Sequence, residues 1–244
     1  MHSAKRILIL GGTAEARDIA AALLVRGHHV TSSLAGVTKA PLLPQGELRV
    51  GGFGGTAGLL KYLRSAKVQV LVDATHPFAA IMSAHAHEAA GIIEIPLLRF
   101  ERPAWQPQIG DNWISVTSMA EAATVVPQNA QLMITTGRKG LDGFLQRIDL
   151  SGVIRSIEPP DEVFPSRWQL LLDRPPYDEP SETQLMKNHG ITHLVTKNAG
   201  GGSTSGKLAA ARQLGLPVVV IRRPVKPTCR RFAVIDQLVL AVEE

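Results

Sequence analysis

Three groups of residues in this chain could do chemistry. The first is Asp73-Ala74-Thr75-His76-Pro77-Phe78, which closes the apolar run Val70-Leu71-Val72. A carboxylate, a hydroxyl and an imidazole so close together supply acceptors, a donor and a group that titrates near neutrality. That set suits the positioning of a polar ligand or the delivery of a proton. The same letters also suit a plain strand-to-helix turn capped by Asp73 or Thr75. The second group is a set of glycine loops able to approach an anion through backbone amides. The third is a series of cations that follow apolar runs: Arg138, Lys197 with Asn198, and Arg222 with Arg223. Such side chains receive carboxylates or phosphates, or remain as solvated charge at strand ends.

The glycine loops differ in kind. Gly11-Gly12-Thr13-Ala14-Glu15 follows an apolar run and opens an alanine-rich helical pattern. Unpaired first-turn amides and the helix dipole favour an anion at that place. It is the position of a dinucleotide-binding turn, although Thr13 departs from the G-x-G-x-x-G/A fingerprint. The Thr13 hydroxyl is expected to donate to phosphate. The plainer reading is a tight turn between strand and helix. Gly52-Phe53-Gly54-Gly55-Thr56-Ala57 fits the fingerprint in full but follows the third strand. It is expected as a wall beside the cofactor or as an ordinary turn. Gly201-Gly202-Ser203-Thr204-Ser205-Gly206-Lys207-Leu208 lacks one letter of a P-loop, because Leu208 replaces the magnesium-binding hydroxyl. That argues against ATP or GTP hydrolysis, while the loop amides remain able to take carboxylate or phosphate.

The second strand ends Thr31-Ser32-Ser33-Leu34-Ala35-Gly36, without the acid that holds an NAD ribose, and Lys39 follows. Hydroxyls and a cation suit a 2′-phosphate. Ser33 and Lys39 are therefore expected contacts, and NADPH is the expected cofactor.

These groups need elements to position them. Strand-like runs are expected at Arg6–Leu10, His29–Leu34, Glu47–Val50, Gln69–Val72 and Ile95–Leu98. Helices are expected between them, over Ala14–Arg26, to about Ser65, and over Phe78–Ala90, the last stopped by Gly91. Further strands are expected at Trp113–Val116, Gln131–Thr135, Val153–Ile157, Trp168–Leu172, Thr192–Thr196 and a final Pro217–Ile221. Helices are read over Ser118–Val125, Ser181–His189, Thr204–Leu214 and Ile235–Glu244. This alternation predicts an α/β fold class of two Rossmann-like domains with mainly parallel sheets. The division is placed near residue 126, giving a nucleotide-binding half over 1–125 and a second α/β half over 126–244.

Composition narrows the function. The chain has 244 residues, 45% of them apolar, enough for two cores. Cys229 is its only cysteine, so no internal disulfide forms, which fits a reducing compartment. The first apolar run is too short for a signal core or a membrane span, and a cytoplasmic protein is expected. The net charge of +5 suits an anionic small molecule. Aromatics are 5% and do not interleave with the cations, so no nucleic-acid partner is expected. His85 and His87 lie two apart on a helical pattern and share no face, so no metal site is expected.

Taken in order, several segments resemble the precorrin-6A reductase family (CobK/CbiJ type) of cobalamin biosynthesis. They are Ile9-Leu10-Gly11-Gly12-Thr13-Ala14-Glu15, Ser33-Leu34-Ala35-Gly36, Gly51-Gly52-Phe53-Gly54-Gly55, Asp73-Ala74-Thr75-His76-Pro77-Phe78-Ala79, Thr135-Thr136-Gly137-Arg138, and Val195-Thr196-Lys197-Asn198 with Gly200-Gly201. Val37 stands where many members carry Arg after Ser-Leu-Ala-Gly, so Lys39 would take its place. The resemblance implies NADPH-dependent reduction of one ring double bond of precorrin-6A to give precorrin-6B, with neither flavin nor metal. It implies two α/β domains with the macrocycle in the cleft between them, and no obligatory protein partner. The cofactor contacts it implies are Gly11, Gly12, Thr13, Ser33, Lys39, Gly52, Gly54, Asp73 and Ala74. Thr75 and His76 would line the nicotinamide side as catalytic residues, with the proton coming from His76 or from water. Phe78, Arg138, Lys197, Asn198 and Arg222 would meet the anionic tetrapyrrole. A cobalt-bearing form of that substrate, or a non-catalytic nucleotide-sensing module, are the alternatives.

Overall fold

The structure is a computed structural model that describes residues 3–36, 42–159 and 164–244. In chain order the elements are β1 (Arg6–Leu10), α1 (Ala14–Val25), β2 (His29–Leu34), β3 (Glu47–Val50), α2 (Thr56–Ser65), β4 (Val70–Asp73), α3 (Ala80–Ile92) and β5 (Leu97–Phe100). Then come β6 (Asn112–Val116), α4 (Met119–Val125), β7 (Gln131–Ile134), α5 (Asp142–Leu145), β8 (Ser151–Ser156) and β9 (Trp168–Leu172). The chain ends with α6 (Glu179–Asn188), β10 (His193–Lys197), α7 (Gly206–Gln213), β11 (Pro217–Ile221), β12 (Arg230–Phe232) and α8 (Ile235–Glu243).

Two compact units form. One comprises Met1–Pro103 and Pro224–Glu244, the other Ala104–Arg223. The first holds a six-stranded sheet in the order β3-β2-β1-β4-β5-β12, with every pair parallel. The second holds six parallel strands in the order β9-β8-β7-β10-β11-β6. Both are α/β doubly wound sheets. In each, the direction of winding reverses between two central strands, β1 and β4 in the first and β7 and β10 in the second. Ligands of such sheets sit outside the carboxyl ends of those strands.

The inner strands β1, β4, β7, β10 and β11 are buried on both faces, which is why they read as continuous apolar runs. In β1, Ile7 and Ile9 pack with Ile19 and Leu23 of α1 and with Leu238 and Val242 of α8. Leu8 and Leu10 point the other way, onto Leu59 and Leu63 of α2 and Ala86 and Ala89 of α3. In the second unit Met133, Val153, Leu194 and Val218 pack with Met186 of α6 and Leu208 of α7.

The division of the chain differs from the boundary expected at residue 126. The second unit starts at Ala104, and Pro224–Glu244 returns to the first. The cause is β12, an element absent from the expectation, which treated Pro217–Ile221 as the final strand. Arg230, Arg231 and Phe232 add in register to Leu98, Arg99 and Phe100 of β5. The amphipathic α8 then covers the exposed flank of α1. Helix α3 also differs. It runs through Gly91 to Ile92 and stops because Glu94 takes a left-handed φ of 56°, with Ile95 N–H donating to Ala90 O at 3.1 Å. The short α5 was not expected either.

Candidate active site

In the first unit the ends of β1 and β4 are laced together. Ala74 N–H donates to Leu10 O at 3.0 Å, and Thr13 Oγ1 donates to Ala74 O at 3.0 Å. Thr13 caps α1 by accepting from Ala16 N–H at 3.1 Å. Its hydroxyl proton is thus engaged with Ala74, which corrects the expectation that it donates to phosphate. Gly11 N–H is held by Ser33 O at 3.0 Å, tying the turn to β2. Gly12 has φ of 109°, and a Cβ built there would have no atom of the described residues within 4 Å. Only glycine takes that conformation without strain, and open space lies beside it.

The second glycine loop is shaped by a residue the sequence reading passed over. Arg49 of β3 sits directly opposite Ser33 of β2. Its guanidinium donates to Ser33 Oγ at 3.3 Å, to Gly52 O at 2.8 Å and to Gly51 O, and it stacks 3.7 Å from the Phe53 ring centroid. A Cβ on Gly52 or Gly54 would meet no atom of the described residues within 4 Å. A Cβ on Gly58 would lie 1.6 Å from Phe53 O, so glycine is required where the loop folds onto α2. Ser33 is buried, and its two oxygens serve Gly11 and Arg49. Lys39 lies outside the described residues.

Asp73, expected as a cofactor contact, is fully buried instead. Its Oδ1 accepts from Thr75 Oγ1 at 2.6 Å and from Thr75 N–H at 3.2 Å. Its Oδ2 accepts from Ser83 Oγ at 2.7 Å and Arg99 Nε at 2.9 Å. Arg99 also donates to Pro227 O at 2.9 Å, fastening the returning segment. Burial alone would raise the Asp73 carboxyl. The hydrogen bonds from Thr75, Ser83 and Arg99, with the charge of Lys226, outweigh it and hold the group below the usual carboxylate range. Asp73 therefore reaches the site only through Thr75.

Thr75 lines a shallow, open depression with Thr13, Glu15, Ala74, Pro77, Phe100, Glu101 and Arg102. Glu15, in the first turn of α1, pairs with Arg102, one guanidinium nitrogen lying 2.9 and 3.0 Å from its two oxygens. His76 is exposed, and its Nδ1 accepts from Phe78 N–H at 3.2 Å. The neutral ring then carries its proton on Nε2. The Phe78 ring lies 5.8 Å from that of His76.

In the second unit Arg138, Lys197 and Arg222 all follow or end strands at one edge of the sheet, β7, β10 and β11. Lys197 Nζ donates to Thr136 O at 2.8 Å, across the point where winding reverses. Burial, then the charge of Lys139, lower its pKa. Thr136 Oγ1 is buried there with no hydrogen-bond partner among the described residues. Arg138 donates to Pro159 O at 3.4 Å, and Arg222 is exposed. Asn198 differs from expectation. Its amide accepts from Trp105 N–H at 2.8 Å and donates to Trp105 O at 3.0 Å, so it clamps a loop. Arg223 holds the same turn through Asn198 O and Ala199 O at 3.0 and 3.1 Å.

Lys207, the lysine of the near P-loop, is only 5% exposed and lies 5.3 Å from the Trp105 ring centroid. Beside it, Arg155 and Glu182 form a buried forked pair. Burial, then Arg155, pull Lys207 down to about 7. A lysine so enclosed does not reach phosphates in solution, which agrees with the argument from Leu208.

The profile of the precorrin-6x reductase family CbiJ/CobK matches residues 6–243. The chain belongs to this family. A relative named precorrin-6A reductase from Rhodococcus erythropolis is 49% identical over 224 residues, covering 91% of this chain and 90% of the relative. A cobalt-precorrin-6A reductase from Priestia megaterium is 32% identical, covering 89% of this chain and 90% of the relative. A solved structure titled CobK precorrin-6A reductase superposes with a TM-score of 0.92 at 39% identity, covering 98% of this chain and 97% of that one. Family membership explains the order of the glycine and Asp-Ala-Thr-His segments along the chain. No helix among the described residues is long and apolar enough to cross a membrane.

Proposed function

We propose that this family member is an NADPH-dependent precorrin-6A reductase acting on the metal-free macrocycle. The observation that carries the cofactor is the turn at Gly11–Thr13. A left-handed glycine, open space and a helix N-terminus meet at the reversal point of a parallel sheet. The residues fit the group: amides for the pyrophosphate, Gly52 and Gly54 as an open wall, and Arg49 with Ser33 at the end of β2 in place of an acid. When bound, NADPH supplies the hydride that reduces the ring double bond.

This chain's own residues bind, orient and protonate. Arg49 marks the place of the 2′-phosphate, with Lys39 as a second cation. Ala74 and Thr75 face the nicotinamide end, and Phe78 meets the macrocycle. His76, with its proton on Nε2, or a water, delivers the proton to the carbon next to the one reduced. Arg138, Lys197 and Arg222 receive carboxylate groups of the substrate, and the Thr136 hydroxyl, without a partner among the described residues, supports a ligand at that edge. Identity of 49% to a precorrin-6A reductase against 32% to a cobalt-precorrin-6A reductase supports the metal-free substrate. A single free cysteine, Cys229, fits a cytoplasmic enzyme.

The test is a fluorescence titration with NADPH, NADH and ATP in parallel. Tight NADPH binding, weak NADH binding and no response to ATP are expected. Absence of NADPH binding by folded protein overturns the cofactor reading.

A further inference from the structure

The depression beside the Gly11–Thr13 turn is built from acceptors. A hydroxyl has one proton to give and two lone pairs to receive. Thr75 gives its proton to Asp73 at 2.6 Å. The alternative direction is closed, because an ionised carboxylate has no proton to donate. Ser83 and Arg99 occupy the other Asp73 oxygen at 2.7 and 2.9 Å, which fixes the carboxylate in place. Any further bond at Thr75 Oγ1 is therefore one that it accepts. Thr13 is in the same condition, since its proton goes to Ala74 O. Of the charged groups in the wall, Glu15 and Arg102 pair at 2.9 Å, and Glu101 adds a further carboxylate.

Such a surface repels phosphate and receives an N–H donor. The neighbouring glycine turn has the opposite character, with amides that donate. One ligand with an anionic middle and an amide-bearing end satisfies both. We propose that Asp73 is a positioning residue that makes the Thr75 hydroxyl an obligate acceptor, and that Thr75 takes the carboxamide N–H of the nicotinamide ring. This rests on the NADPH reading above and assigns the residue that orients the ring.

The experiment compares three ligands on wild type, Thr75→Val and Thr75→Ser by calorimetry. The ligands are NADP+, its 3-acetylpyridine analogue, in which a methyl ketone replaces the carboxamide, and 2′-phospho-ADP-ribose, which lacks the ring. Wild type is expected to prefer NADP+ over the analogue by about 2- to 10-fold, the span of one net hydrogen bond. In Thr75→Val that ratio falls to about one through weaker NADP+ binding, while 2′-phospho-ADP-ribose binds as before. Thr75→Ser retains the preference. Equal weakening of all three ligands by Thr75→Val, or no preference in wild type, overturns the assignment. Folded wild type that binds none of the three overturns the NADPH reading and this inference with it. Binding of 2′-phospho-ADP-ribose without discrimination between the two dinucleotides overturns only the latter.

Discussion

The two sheets of this protein share the order of five strands, β3-β2-β1-β4-β5 matching β9-β8-β7-β10-β11, and differ in what they place at the reversal point. In the first unit the ends of β1 and β4 carry glycines, a helix cap and hydroxyls whose protons are already engaged. In the second the ends of β7 and β10 carry Thr136, Arg138, Lys139 and Lys197. The first edge offers backbone amides and fixed acceptors, the second cationic side chains. Under the proposed function, one topology serves a nucleotide in one place and carboxylates in another, with topology selecting the location of a site and residue type its chemistry.

The buried ionic groups beneath the loops sharpen the contrast. Asp73 accepts four hydrogen bonds and is paired with Arg99, whereas Lys207 adds a positive charge beside a pair, Arg155–Glu182, that is already balanced. Removing each should act in opposite directions. Asp73→Ala strands a buried guanidinium and is expected to cost about 3–5 kcal/mol in denaturant unfolding. A loss below about 1 kcal/mol would break the comparison.

Lys207→Met is expected to stabilise the protein at pH 6–7, by roughly 1–3 kcal/mol, because the wild type buries a charge there. The sign follows from a folded value of about 7 against 10.5 for an ordinary lysine. The unfolded chain binds more protons across that interval, so wild-type stability rises with pH between those values and the gap to Lys207→Met closes. Unfolding curves of both proteins at pH 6, 8 and 9.5 measure this. A gap independent of pH would contradict it.

Ligand binding separates the two edges further. Arg49→Met is expected to weaken NADPH by about tenfold, the loss of one charge-assisted contact, with little change for NADH. Equal loss for both would return Arg49 to a purely structural role in the Gly51–Gly52 turn. Lys197→Ala is expected to raise the KM for the macrocycle several-fold while leaving NADPH affinity unchanged. Titration of NADPH beside steady-state turnover distinguishes the two.

Much of this was legible in the residues. Strands β1, β2, β3, β9 and β11 have the bounds expected of them, and the Gly11 turn stands where its letters place it. Contacts set by distant pairing were not legible. Arg49 looks like a surface charge within a strand until register sets it opposite Ser33. Asp73 looks like a ligand contact until the strand buries it and Arg99 reaches it from β5. Asn198 looks like a substrate contact until its amide closes on Trp105. The segment Arg230–Phe232 carries two charges in three residues and becomes a strand only because β5 offers it an open edge.

That last segment has a consequence for how the protein is made. The strand and helix that complete the first unit are synthesised only after all of the second, residues 104–223. At about 5–20 residues per second, the nascent first sheet waits on the order of ten seconds with the edge of β5 unpaired and the α8-binding flank of α1 bare. Parallel pairing across such a separation is slow to form. The second unit, being continuous, can finish first. The dinucleotide binding proposed above would therefore arise late in the birth of the chain, and ribosome-bound chains halted before Pro224 should fail a nucleotide-affinity capture that chains released past α8 pass.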